Sequence, residues 1–144
     1  MKRSDFDHLR ASGVRVFGDL DWRGKCPAEN IEQASFVSWL RRDYPDGIGA
    51  LVIHTENEGQ LRGGQFHQMR KRSAMGMTKG AADIIIPGGV SFVCEMKRCD
   101  YTKSAWQDGQ VDYLVTAARC GSFACVAFGF EAARLAVLAW QKQK

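Results

Sequence analysis

The chain has 144 residues, of which 45% are hydrophobic, enough for one domain with a real core and too many for wholesale disorder. Its net charge of +4 is too modest to name a partner. The apolar runs are too short to span a membrane, and "MKRSDFDHLR" lacks the apolar stretch of a secretory signal. Five cysteines, at 26, 94, 99, 120 and 125, form no C-x-x-C pair and are expected to be reduced, mostly buried thiols in a cytoplasmic protein.

Residues 1–25 are polar and uneven, and read as an N-terminal arm in which "GVRVFGDLDWRG" forms a short strand or a cap. Pro27 suits a first helical turn. The helix that follows, "PAENIEQASFVSWLRRDYP", has Phe36, Val37 and Leu40 at helical spacing, with Glu29 and Gln33 extending the stripe. Tyr44-Pro45-Asp46-Gly47 stops it. "IGALVIHTEN" reads as a buried strand, and "GQLRGGQFHQMRKRSAMG" as a basic helix opened by glycines. "AADIIIP" and "VSFVCEMKR" form a hairpin through Pro87–Gly89. "TKSAWQDGQVDYLVTAARCG" is a helix ended by Gly121 and weakened in its first turn by Gly109. "SFACVAFGF" is a buried strand and "EAARLAVLAWQKQK" a final helix, whose apolar side suits either core or an interface. The order predicts one layered α/β domain with a mixed sheet flanked by helices.

Two patterns carry chemistry. No acid occurs between Gly59 and Ala82, a window holding Arg62, His67, Arg70, Lys71, Arg72 and Lys79. Such a one-signed stretch suits a polyanion, although a solvated basic face has the same composition. The second pattern is Asp83 before an apolar strand and Glu95-x-Lys97 at the end of the next. If the hairpin pairs, both carboxylates lie at one end of it. They would repel unless protonated or neutralised by a divalent cation, which takes oxygen ligands such as carboxylates and the carbonyl of Met96. Lys97 shares the face of Glu95 and could stabilise charge on a bound phosphate.

This D-(x11)-E-x-K pattern, preceded by a helix bearing Glu, resembles the PD-(D/E)xK nucleases, and more narrowly the stand-alone VRR-NUC domains of phages and bacteria. Glu29, Glu32, Gln33, Trp39 and Leu40 stand as in the first helix of those domains. Asn57 to Gly59, Met75 to Gly80, Asp83, Glu95/Lys97 and Ser104 with Gln107 and Gln110 stand as their later motifs, over about residues 27–130. Ala82 replaces the usual proline before the Asp, and "HTENEGQLR" follows the Asn-Gly-Gly turn loosely. The resemblance implies a restriction-endonuclease-like core over 26–144 and hydrolysis of DNA phosphodiesters with Mg²⁺ or Mn²⁺. It places the metal on Asp83, Glu95, the Met96 carbonyl and a helix glutamate. Glu29 is favoured because it precedes Gln33 by four, with Glu32 left as the alternative. Gln107 and Gln110 stay open as the helical glutamine, one favoured by its distance from Ser104, the other by its distance to Gly121. Arg62, Arg70, Lys71, Arg72 and Lys79 would hold phosphates, with Trp106 in contact with DNA.

By the same likeness the protein is expected to be a homodimer that cuts branched DNA, such as four-way (Holliday) junctions, in DNA repair in a bacterial or phage-infected cell. No membrane and no organic cofactor are expected. A restriction-like endonuclease that reads sequence, and a non-catalytic nucleic-acid-binding module, are the alternatives. His54 reads as a core histidine, His67 as a phosphate or solvent contact, and Ser104 as a helix N-cap rather than a nucleophile. Trp39 and Trp140 read as core or interface.

Overall fold

The computed structural model describes residues 1–55 and 66–143, and over 66–69 the backbone alone. Alternation of side chains along the central strands builds two cores. In β3 (Ile84–Ile86) and β4 (Phe92–Lys97), Ile84, Ile86, Phe92, Cys94 and Met96 join one core. Val93 belongs to the other, as the two-residue period of a strand requires. Five strands form one mixed sheet in the order β1-β5-β4-β3-β2. β4 lies parallel to β5 (Phe123–Phe128), which lies parallel to β1 (Arg15–Phe17). β3 is antiparallel to β4 and to β2 (Ile53–His54).

The first core is covered by α2 (Glu29–Asp43) and α6 (Phe130–Gln141), through Phe36, Trp39, Leu40, Ala133, Val137 and Trp140. The second is covered by α1 (Arg3–Ala11) and α5 (Gln110–Arg119), through Phe6, Leu9 and Leu114. A one-turn helix α3 (Ile48–Leu51) precedes β2, and the basic helix α4 (Phe66–Ala74) precedes β3. No described helix is long and apolar enough to cross a membrane. All five cysteines are free thiols: Cys94 and Cys125 are buried, Cys26 and Cys99 half-buried, and Cys120 exposed.

Three local expectations change. The stretch from Ile48 is not one buried strand. It turns helically over Ile48–Leu51 because the chain folds back on α2, where a Cβ at Gly49 would meet the Leu40 carbonyl oxygen at 2.2 Å. What remains is a two-residue edge strand with exposed side chains, so His54 is not a core residue. The helix after β4 does not open at Ser104. A 3-10 turn spans Tyr101–Lys103, and α5 begins at Gln110 because Gly109 takes a left-handed φ of 90°. Ser104 therefore caps no long helix; its Oγ accepts the Arg98 N–H at 3.1 Å.

Residues 1–25 supply α1 and β1, so the N-terminal stretch is part of the sheet and of the second core. Phe6 is fully buried, with ring centroids 5.2 Å from Tyr101 and 5.3 Å from Phe128. Phe6→Ala is expected to destabilise the protein by about 3–5 kcal/mol in urea denaturation. A loosely docked arm would lose less than about 1 kcal/mol.

Candidate active site

The β3–β4 register pairs Ile84 with Cys94. Carried one residue further, it sets Asp83 opposite Glu95. The Met96 N–H on β4 donates to Asp83 Oδ2 at 2.9 Å and ties the carboxylate to the neighbouring strand. A strand residue sends its N–H and C=O to the same edge, so the Met96 carbonyl also leaves on the Asp83 side. Glu29, the first residue of α2, reaches the same place. Oxygens of Glu29, Asp83 and Glu95 lie within 4.8 Å of one another.

Lys97, two residues beyond Glu95, has only 1% of its surface exposed. Its Nζ lies 2.8 Å from Glu95 Oε1, 3.9 Å from Glu29 Oε1 and 3.1 Å from Gln110 Oε1. The Trp106 ring stands beside it, 5.7 Å from Nζ to centroid, close enough for a cation–π attraction. Gln110 also donates from Nε2 to Glu95 Oε1 at 2.5 Å, and its own Oε1 accepts the Gln107 N–H at 2.8 Å. Gln110 can hold both groups because α5 starts there. Gly80 and Gly109 let the segment leading to Asp83 touch that start: a Cβ at Gly80 would meet the Gly109 carbonyl carbon at 2.3 Å and the Gln110 nitrogen at 2.7 Å.

The two oxygens of Glu95 are thus unequal. Oε1 receives Lys97 and Gln110, whereas Oε2 is buried and has no hydrogen-bond partner among the described residues. A buried carboxylate oxygen left unpaired is costly. Burial first, then the nearby Asp83, pushes the Glu95 carboxyl up to about 8, against the pull of Lys97. Burial also raises Asp83, opposed mainly by the Met96 N–H, and raises Glu29, opposed mainly by Lys97. An all-oxygen set with one orphaned ligand atom fits a hard divalent cation. Asp83, Glu95 and Glu29 could hold it, with the Met96 carbonyl on the same side.

Glu32 lies elsewhere. It is buried, and its oxygens accept the Phe130 N–H at the start of α6 and the Cys99 thiol. That satisfies one of the donors a helix N-terminus leaves open, and the side chain is absent from the carboxylate cluster. Gln107 brings its backbone N–H to Gln110 while its side chain is exposed. Lys71 and Arg70 are exposed on α4 and Arg72 is half-buried. Lys79 pairs with Asp108 at the surface. Arg62, the 57–59 turn and the side chain of His67 fall outside the described residues. Gln33, one of the first-helix motif residues, and His54, expected in the core, meet near the site, where the His54 ring acts on Asp83. His54 Nε2 lies 3.0 Å from Gln33 Oε1, and Gln33 stands one helical turn after Glu29. That spacing of four was the available signal.

No family model and no curated protein matches the sequence. A solved structure described as a VRR_NUC domain protein does match, with a TM-score of 0.66 and 20% identity over 83% of this chain and 93% of that one. The chain therefore has the fold of a VRR_NUC domain, a mixed sheet between helices of the restriction-endonuclease-like type, and the resemblance read from its motifs holds at the level of fold.

The raised Glu95 carboxyl sets a pH dependence in chelator. The folded state keeps its proton up to about 8, whereas the unfolded chain releases it near the ordinary 4.5. The stability gained by holding that proton is complete below 4.5 and lost as pH rises through the folded value. The metal-free melting temperature should fall by several degrees across that window. Glu95→Gln should remove most of the slope; an unchanged slope would place the titrating group elsewhere.

Proposed function

We propose that this chain is a metal-dependent endonuclease that hydrolyses DNA phosphodiester bonds. The observation that carries the reading is the cluster of Glu29, Asp83 and Glu95 with Lys97 buried against Glu95. A binding module has no use for three carboxylates gathered around one buried ammonium, whereas phosphoryl transfer needs both charges at one point. Likeness of fold to a VRR_NUC domain protein agrees with it. A Mg²⁺ or Mn²⁺ ion held by Asp83, Glu95, Glu29 and the Met96 carbonyl would supply a Lewis acid and a more acidic water.

The chain's own residues do the rest. Lys97, held by Gln110 and flanked by Trp106, keeps a fixed positive charge where a phosphate would gain negative charge. Gln110 fixes the spacing between that ammonium and Glu95. Arg70, Lys71 and Arg72 on α4, which lead toward Asp83 in sequence, bind flanking phosphates without reading bases. Each chain carries one such cluster among the described residues. Cutting both strands at a branch then takes two chains, which is the basis for proposing a homodimer on branched DNA such as a four-way junction.

The test offers purified protein linear duplex, supercoiled plasmid, flap and four-way-junction DNA with Mg²⁺ or Mn²⁺. Cleavage is expected on a branched substrate and should vanish in chelator. Asp83→Asn and Lys97→Met should each lower the rate at least about a hundredfold with the fold intact by circular dichroism. No cleavage of any substrate would overturn the reading. Cleavage at one sequence in linear duplex would replace it with the restriction-like alternative.

A further inference from the structure

The stretch "DLDWRGKC", residues 19–26, leads into the helix that carries Glu29. It is pinned from several directions to the residues that follow Lys97. Gly24 N–H donates to Asp100 Oδ2 at 3.3 Å, and its carbonyl accepts Lys103 Nζ at 2.6 Å. Arg98, the residue after Lys97, donates from Nη2 to the Cys26 carbonyl at 3.0 Å. The Arg23 guanidinium lies over the Tyr101 ring at 4.7 Å and donates to the carbonyls of Leu20 and Trp22 at 3.0 and 2.7 Å. Arg3 holds the other end through the Leu20 carbonyl and Asp21.

On this fixed loop Trp22 is 38% exposed. Its ring rests on Gly24, where a Cβ would come within 3.4 Å of it. This large aromatic ring is held partly exposed on a loop fixed by several bonds, and it belongs to neither hydrophobic core. The loop and the residues bonded to it carry Arg3, Arg23, Lys25, Arg98 and Lys103 against Asp19, Asp21 and Asp100. Of these acids, Asp21 is paired with Arg3, and Asp100 is occupied by Thr102 and Gly24. Lys25 and Lys103 are exposed to solvent on either side of Gly24, Lys25 next to it in the chain and Lys103 with its Nζ on the Gly24 carbonyl.

We propose that this loop contacts an unpaired nucleotide next to the cut, with Trp22 stacking on its base and Lys25 and Lys103 on adjacent phosphates. In intact duplex the base faces are already stacked and closed to an indole, whereas an unpaired base offers one. The proposal rests on the nuclease reading and narrows its substrate to DNA with single-stranded or branched character at the site. The loop is ordered before binding, so little entropy opposes the contact.

Binding is measured apart from cleavage, by fluorescence anisotropy of labelled DNA in an Asp83→Asn background with Mg²⁺. The two DNAs are a duplex with a single-stranded flap and a blunt duplex of equal length. Trp22→Ala should weaken flap binding about tenfold, within the range of one lost base stack, and leave blunt-duplex binding unchanged. Trp22→Phe should restore most of the loss. Lys25→Ala should weaken both and lower the salt slope by about one unit. Trp22→Ala binding both DNAs as the parent does, weakening both equally, or a parent that binds neither, would overturn the proposal. A protein that passes this test yet cleaves nothing with its native Asp83 would overturn the nuclease reading instead.

Discussion

Glu95 and Lys97 lie buried 2.8 Å apart in a site where Asp83 and Glu29 bring two further carboxylates within 4.8 Å of Glu95. Taken fully ionised, three carboxylates against one ammonium leave two negative charges uncompensated. Burying uncompensated charge is far more costly than the few kcal/mol by which a domain of this size is stable. The site must take up protons or a cation of matching charge. The rise of the Glu95 carboxyl to about 8 is the first response, and Glu95 Oε2, without a hydrogen-bond partner among the described residues, is a ligand atom for the second.

Much of the fold serves to keep that arrangement from relaxing. The apolar faces of β3 and β4 are locked into the first core by Ile84, Ile86, Phe92, Cys94 and Met96, so the alternate face cannot slip register without burying the charges in hydrocarbon. On the other face, under α5, Gln110 spans Lys97 and Glu95, and its place depends on the touching backbones of Gly80 and Gly109. Glu32 secures the start of α6, while Gly129 N–H, just ahead of that helix, donates to the Lys97 carbonyl at 2.8 Å. Helix, strand and catalytic candidates are thereby joined at one end of the sheet.

Asp83, Glu95 and Lys97 were legible because a hairpin with a two-residue period leaves few ways to place them. The central strands were legible from their apolar runs and α2 from its periodicity, and α4 and α6 were expected as helices. The choice between Glu29 and Glu32 was not, since residues three apart on a helix share a face. A distant group settles where each goes: the Phe130 N–H takes Glu32 and leaves Glu29 at the cluster. Gln107 and Gln110 were equally matched by spacing until the left-handed Gly109 set the helix start. Helix α1 escaped notice because its apolar signal is only Phe6 and Leu9 in a polar stretch, and tertiary burial supplies the rest. The exposed edge position of His54 follows from the backbone approach at Gly49, which no pattern of apolar residues encodes.

We propose that these carboxylates form one cation site. Crystals soaked in Mn²⁺ and measured at the manganese absorption edge test it directly. One anomalous peak is expected within about 2.5 Å of oxygens from Asp83, Glu95 and Glu29, with Lys97 still on Gln110. Full soaks that leave no peak there would contradict it.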